Sequence, residues 1–352
     1  MGRKHPIILL ALFGAMAPSP ATLRVTAEKS GMLIGTAVRP SLLLEPSYSA
    51  TLAREFNLVE PEDAMKWWVV RHDRSFDFRQ GDEVVQFAQA HGMNVRGHCL
   101  VWDHDNPKWL TEASLSPAQL SGVLHEHITT EMKHYAGVVF AWDVVNEALN
   151  EKGETKDSIW YNRPGIGMSG KGTAYVAQAF WWAHEADPQA LLFYNEAEAE
   201  GLNAKSDAVY AMVKDFKRHG VPIDGVGLQL HISGTDYDTE ALGRNIGRLT
   251  DLGLQVHITE LDVSLPLFGG SVPLEAYLQN QADLYGRIVT TCLAHRGCTA
   301  IQTWGFTDEW SWIGSHSHGA RGAALLFDKS YRPKPAYDAV LGALRSARAI
   351  HR

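Results

Sequence analysis

Cysteine is scarce in this chain, three residues in 352, and none of the three stands in a Cys-x-x-Cys pair. There is no His-Glu-x-x-His sequence either, so both common zinc signatures are missing. Beyond the N-terminus the chain has no run of lysine and arginine, and its net charge is -8. A protein of that sign with no basic face is not built to hold nucleic acid or another polyanion. Long apolar runs are absent too, apart from residues 7–17, a stretch too short to cross a bilayer. No Gly-x-Gly-x-x-Gly opens a helix after the first strand, which argues against a dinucleotide-binding sheet. No cofactor and no metal is called for, and no membrane association.

That one apolar run follows Arg3, Lys4 and His5 and precedes Pro18-Ser19-Pro20-Ala21. A basic start, a short apolar middle and small residues at the end are the layout of a secretory signal over residues 1–21. The mature chain, residues 22–352, is therefore expected to be secreted or periplasmic. With 45% hydrophobic and 20% charged residues it is able to bury a core. Cys292 and Cys298 flank a short turn, and in an exported protein such a spacing permits a small disulfide loop. Cys99 lies inside an apolar strand, where a free thiol behaves as a small hydrophobe.

The remaining apolar runs are short and lack helical spacing. They predict strands over 32–38, 57–62, 94–101, 138–145, 190–195, 225–231, 255–263 and 300–306. Helical patterns alternate with them, over 46–56, 82–91, 117–135, 173–186, 203–219, 239–252, 274–294 and 334–348. Strands that are apolar on both faces, each followed by a helix, predict an α/β protein of one domain, a closed (β/α)8 TIM barrel.

In such a barrel the C-terminal ends of the strands open on one face, so residues far apart in sequence converge there. The strand ends carry Glu62, Asp63 and Lys66; His98 and Trp102; Asn146 and Glu147; Asn195 and Glu196; Gln229 and His231; Glu260 and Asp262; Trp304, with Trp312 in the loop after it. Two of these runs end a core strand on a glutamate, Glu147 and Glu260. Glutamate is a poor strand residue, so an acid at that point is aimed at something.

Two carboxyls are the equipment for hydrolysing an acetal with retention, one protonating the leaving oxygen and the other, about 5 to 5.5 Å away, attacking the anomeric carbon. Their environments must differ, because one is a proton donor and the other an anion. Gln229 and His231 on the neighbouring strand are placed to hydrogen-bond Glu260 and hold it ionised. Glu147, between Asn146 and a loop carrying Trp160 and Tyr161, is expected to have a raised pKa. The tryptophans near the strand ends offer flat apolar faces for sugar rings.

With these residues in view, the chain resembles glycoside hydrolase family 10, the retaining endo-β-1,4-xylanases, from about residue 35 to residue 344. The likeness rests on Gly35-Thr36-Ala37-Val38, Met65-Lys66-Trp67, Arg96-Gly97-His98, the run from Trp142 to Glu147, Ala186-Asp187-Pro188, Gln229 with His231, Thr259-Glu260-Leu261-Asp262, Trp304-Gly305, and residues 325–328 with 333–337. It implies hydrolysis of internal bonds of xylan by double displacement, with Glu147 as acid/base and Glu260 as nucleophile. It further implies that His231 and Asp262 support the nucleophile and that Asn146 meets a sugar 2-hydroxyl. Glu62, Lys66, His98, Trp304 and Trp312 would line the glycone subsites, with Asp63 and Trp102 in the same cleft. The family's disulfide falls on Cys292 and Cys298. A monomer acting on a polysaccharide or oligosaccharide is the expected form.

Three places depart from the family pattern: Asp63, the run Asp103-His104-Asp105, and Glu196-Ala197. They are expected at the glycone side or in its support, which makes a related β-1,4-glycanase, for short or decorated xylo-oligosaccharides or β-glucan, the alternative. A metal-dependent hydrolase using His98, Asp103, His104 and Asp105 lacks a second histidine pair to complete its site. A non-catalytic sugar-binding protein would be favoured by a missing glutamate, and both are present.

Overall fold

Strands buried on both faces need helices on the outside and each other on the inside, and a closed sheet meets both needs. The computed structural model describes residues 21–104, 106–267 and 273–350, so the expected leader, except Ala21, lies outside the described residues, as does Asp105. Its strands are β1 Leu33–Val38, β2 Leu58–Pro61, β3 Asn94–Val101, β4 Val139–Asn146, β5 Leu191–Glu196, β6 Gly225–Leu228, β7 His231–Ser233, β8 Gln255–Pro266, β9 Cys298–Thr303 and β10 Arg321–Gly322. β1 to β6 pair in order and in parallel, β6 pairs β8, β8 pairs β9, and β9 returns to β1. That last pairing closes the (β/α)8 barrel. The short β10 runs antiparallel along the outer end of β8.

The helices between the strands start where the chain supplies caps. Ser116 and Gln119 form a reciprocal capping box at Pro117–His134, Asn203 and Ser206 do the same at Ala204–Arg218, and Asp238 caps Thr239–Thr250. Each lays an apolar stripe on the barrel, as Leu120, Leu124 and Ile128 do from Pro117–His134. Trp142, fully buried on β4, packs so closely on β3 that a Cβ at position 97 would lie 2.2 Å from its indole. Gly97 is thus required by the approach of the tryptophan, not by a turn.

Three differences from the expected elements bear on the barrel and its entry. The strand expected over 225–231 is broken into β6 and β7, because Leu230 takes a φ of 62°, in the left-handed region. The last barrel strand begins earlier and ends earlier than 300–306, at Cys298–Thr303. A helix not anticipated from periodicity, Leu23–Glu28, precedes β1. It is too short to show a pattern and is held by tertiary bonds: Leu23 N–H donates to Glu55 (3.1 Å), and Arg24 donates to the carbonyls of Ala53, His91 and Gly92.

Cys292 near the end of Leu274–Leu293 is bonded to Cys298 at the start of β9, while Cys99 is buried and free. No described helix is long and apolar enough to cross a membrane. Replacing Cys292 and Cys298 together by alanine should lower the unfolding free energy by about 2 kcal/mol, the chain-entropy value for so short a loop. Urea unfolding of the oxidised parent and the double variant would measure it; equal midpoints would contradict it.

Candidate active site

β4 and β5 end side by side, Asn146 opposite Asn195, and their amides make the centre of the site. The Asn195 side chain donates to Asn146 Oδ1 (3.0 Å) and to Glu260 Oε1 (2.8 Å). Its own oxygen accepts from Thr259 Oγ1 at 2.8 Å, which sets which way the amide points. Gln229 Nε2 donates to Glu147 Oε1 (3.0 Å) and Asn146 Oδ1 (3.3 Å). Glu147 and Glu260 are therefore joined by one relay of hydrogen-bonded amides, Gln229, Asn146 and Asn195. Asn195 is named above only as a strand end; the signal that could have found it was the repeated Asn-Glu at the ends of β4 and β5.

Gln229 corrects one expectation. Its side chain serves Glu147, not Glu260, and only its carbonyl meets Glu260, accepting the backbone N–H at 3.0 Å. In an unbroken strand Gln229 and His231 would share a face. The left-handed Leu230 between them, its N–H held by Glu200 Oε1 at 3.0 Å, gives each a carboxylate of its own.

His231 lies between two acids, with Nε2 3.0 Å from Glu260 Oε2 and Nδ1 2.9 Å from Asp262 Oδ2. Burial pushes its pKa down, but the neighbouring carboxylates outweigh this and raise it to about 10. The ring is thus an imidazolium, and both nitrogens donate. Trp312 closes the group, its indole N–H on Asp262 Oδ2 at 2.8 Å and its ring edge-on to the imidazole. Asp262, His231 and Glu260 thus form one hydrogen-bonded chain.

Glu147 has a different surrounding. Its residue has a φ of 55°, a conformation unfavourable for a residue with a side chain. The turn is pinned by Glu147 N–H on the Asn195 carbonyl (3.0 Å), Ala148 N–H on Tyr194 OH (3.1 Å) and Leu149 N–H on Glu196 Oε2 (3.2 Å). Burial pushes the Glu147 carboxyl up, but Gln229, Lys156 at 3.7 Å, Trp102 Nε1 at 3.2 Å and His104 together hold it below its ordinary value. This corrects the expected upward shift. Trp160, on the loop expected to flank it, is buried and donates to the Trp102 carbonyl at 2.7 Å.

The remaining predicted residues form a wall beside the pair. Lys66 is buried, bonded to Asp63 at 3.1 Å, with its ammonium 4.8 Å from the Trp102 ring and 5.7 Å from that of Trp304. His98 meets Trp304 edge-on at 5.3 Å. Glu62 is held by two bonds from Arg39, at 2.8 and 2.7 Å. Two of the departures from the family pattern serve the backbone around the site. Asp103 accepts from Ile159 N–H (3.2 Å) and so holds the loop, while Glu196 is fully buried against Lys205 (2.9 Å) under the turn that follows Glu147.

Below the site the barrel interior is ionic. Arg96 makes two bonds to Asp143, lies 3.6 Å from Glu60 Oε2 and meets His257 at 2.7 Å, and all four residues are buried. Burial and the adjacent Asp143 raise the pKa of Glu60, and Asp143, despite its own burial, is lowered by Arg96 and His98. Glu60, His98 and Asp143 bring ligand atoms within 4.8 Å of one another, yet the guanidinium already supplies their positive charge. The group fits a buried ion network better than a metal site.

The family model described as Glycosyl hydrolase family 10 matches residues 22–343. The endo-1,4-beta-xylanase B of Thermotoga neapolitana is 41% identical over 342 residues, 95% of this chain and 96% of that protein. Endo-1,4-beta-xylanase C of Phanerodontia chrysosporium is 34% identical, covering 92% of this chain and 79% of its own. Among solved structures, xylanase 10B of Thermotoga petrophila RKU-1 in complex with xylobiose superimposes with a TM-score of 0.88 at 38% identity, over 95% of this chain and all of that one.

The His231 imidazolium carries a pH prediction. Its folded pKa lies above the unfolded value of about 6.5, so its stabilisation is whole below that pH and is lost as pH rises toward about 10. Unfolding free energy should fall across that window, and His231→Gln should flatten the fall. Denaturant titrations at several pH values, showing the same slope in both proteins, would contradict this.

Proposed function

The chain belongs to glycosyl hydrolase family 10, and we infer that it is a retaining endo-1,4-beta-xylanase, cleaving internal β-1,4-xylosidic bonds with Glu260 as nucleophile and Glu147 as acid/base. The observation that carries the reading is the unequal treatment of two carboxylates joined by one amide relay. Glu260 accepts from Asn195 and from the His231 imidazolium, which fix its two oxygens for attack on the anomeric carbon. Glu147 sits on a turn pinned by three backbone bonds, with one oxygen on Gln229 and the other toward Trp102 and Lys156.

Atoms balance in two displacements. First, Glu260 bonds to the anomeric carbon as the C–O bond to the leaving sugar breaks, and the Glu147 proton goes to that oxygen. Then Glu147, now an anion, takes a proton from water as the water oxygen bonds to the anomeric carbon and Glu260 is released. A bound sugar displaces water from Glu147 and adds to the burial that already pushes its pKa up, which favours the donor form in the first step. Esterification of Glu260 removes a negative charge nearby and favours the base in the second.

Asn146, one link of the relay, is suited to a 2-hydroxyl beside the reacting carbon. Lys66, Asp63, Trp102, His98, Trp304, Trp312 and Glu62 are assigned to the glycone side, with indole faces for the rings and polar groups for the hydroxyls. A relative with xylobiose bound supports a xylo-oligosaccharide as the ligand. The site is assembled from one chain, which suits a monomer. The signal-like layout of residues 1–21 and the disulfide support export to the periplasm or medium.

Glu260→Ala should abolish xylan hydrolysis while the protein keeps its fold by circular dichroism; undiminished hydrolysis would sink the assignment. Glu147→Ala should lose about 10²–10⁴-fold on xylan, the range for general acid catalysis, and far less on an aryl xylobioside with an activated leaving group. Added azide should then yield a β-xylobiosyl azide from that substrate, since azide attacks the glycosyl-enzyme without a base. Parallel rates on xylan and carboxymethyl cellulose should favour xylan.

A further inference from the structure

The segment after Glu147 is a small hairpin whose far end comes back to the acid. Leu149 pairs with Thr155 in an antiparallel bridge, and Asn150 closes the tip through Glu154, Lys152 and Gly153. Lys156 N–H donates to the Ala148 carbonyl at 2.9 Å, so the lysine sits beside the residue that follows Glu147. Its ammonium lies 3.7 Å from Glu147 Oε2, the oxygen that also accepts from Trp102. The base of the hairpin is stiff, because Glu196, paired with Lys205, accepts from Leu149, and Tyr194 OH accepts from Ala148.

We propose that Lys156 is a positioning residue that sets the pH range over which Glu147 can donate its proton to the leaving sugar. The proposal rests on Glu147 being the acid/base. The other groups facing this carboxyl divide by element. Trp102 and His104 come from the loop after β3, and beyond Trp102 lies Lys66. Neutral Gln229 comes from the end of β6, and through Asn195 the relay reaches Glu260 and its partner His231. Beneath the hairpin Glu196 is already paired with Lys205. Lys156 is the closest ammonium to Glu147 among the described residues, and it is not committed to a closer acid.

The two side chains are 28% and 18% exposed, and Lys156 also lines a cavity of about 380 Å³ beside Glu198 and Lys205. Partial exposure of both side chains screens the pair, so the expected effect is the low end of what an opposite charge at this distance produces, about one pH unit. The direction follows from the charge. An ammonium favours the anion, so removing it makes Glu147 hold its proton to higher pH.

The experiment is the pH dependence of kcat/KM for the parent, Lys156→Met and Lys156→Arg, on a xylo-oligosaccharide, whose leaving sugar needs protonation, and on an activated aryl xylobioside, whose leaving group does not. Lys156→Met should move the alkaline limb upward by about one unit on the xylo-oligosaccharide. Lys156→Arg should leave it at the parent position, and the aryl substrate should show no comparable displacement between parent and Lys156→Met. An unmoved limb, an equal shift on both substrates, or an arginine variant displaced as far as the methionine one would overturn the role of Lys156. Glu147→Gln separates the two readings: if that variant keeps its activity and its alkaline limb on the xylo-oligosaccharide, the assignment of Glu147 itself fails, and this inference with it.

Discussion

One side-chain amide, that of Asn195, holds the centre of this protein together. It reaches Asn146 on β4 and Glu260 on β8, and its oxygen is locked by Thr259. A Cβ at position 227 would come within 2.2 Å of that oxygen, so Gly227 on the neighbouring strand is part of the same constraint. The placement of Glu260 relative to Asn146 is thus set by strands and their pairing, and Gln229, just past the end of β6, extends it to Glu147. Such precision suits a reaction in which a nucleophile and an acid must meet one sugar from fixed directions.

The same strands give the two acids different surroundings. Glu260 faces an imidazolium that is itself held between carboxylates. Glu147 faces neutral amide and indole donors with an ammonium at the edge, in a left-handed turn that the backbone of β5 and the buried Glu196 keep in place. Deeper in the barrel, Arg96 is paired with Asp143 and lies beside Glu60, so the floor beneath the site carries fixed charge where an apolar layer would be usual. Those charges are buried together, which makes each dependent on the others.

The acids that depart from the family pattern are not all a comment on substrate. Asp63 does stand beside Lys66, on the side assigned to the sugar. Asp103 holds a loop backbone, and Glu196 carries the turn behind Glu147. An acid at a strand end can serve a backbone as readily as a ligand, and only its partners distinguish the two.

Much of this protein was legible in the residues alone. Alternating apolar strands and helical stripes specify a barrel because each strand must be covered on both faces, and a barrel gathers its strand ends on one side. The two glutamates, the histidine and the tryptophans could be named on that basis, and the disulfide pair from the short turn its cysteines flank and from the family resemblance. What the tertiary structure decided is which partner each side chain finds. Leu230 breaks a strand and sends Gln229 to Glu147; Gln229, Trp102, Lys156 and His104 outweigh burial and lower a pKa that the sequence suggested would rise; Glu196 turns inward. The periodicity of a chain records which face a residue occupies, but a hydrogen bond or an ion pair depends on ångström distances between segments far apart in sequence, and these exist only once the barrel has closed.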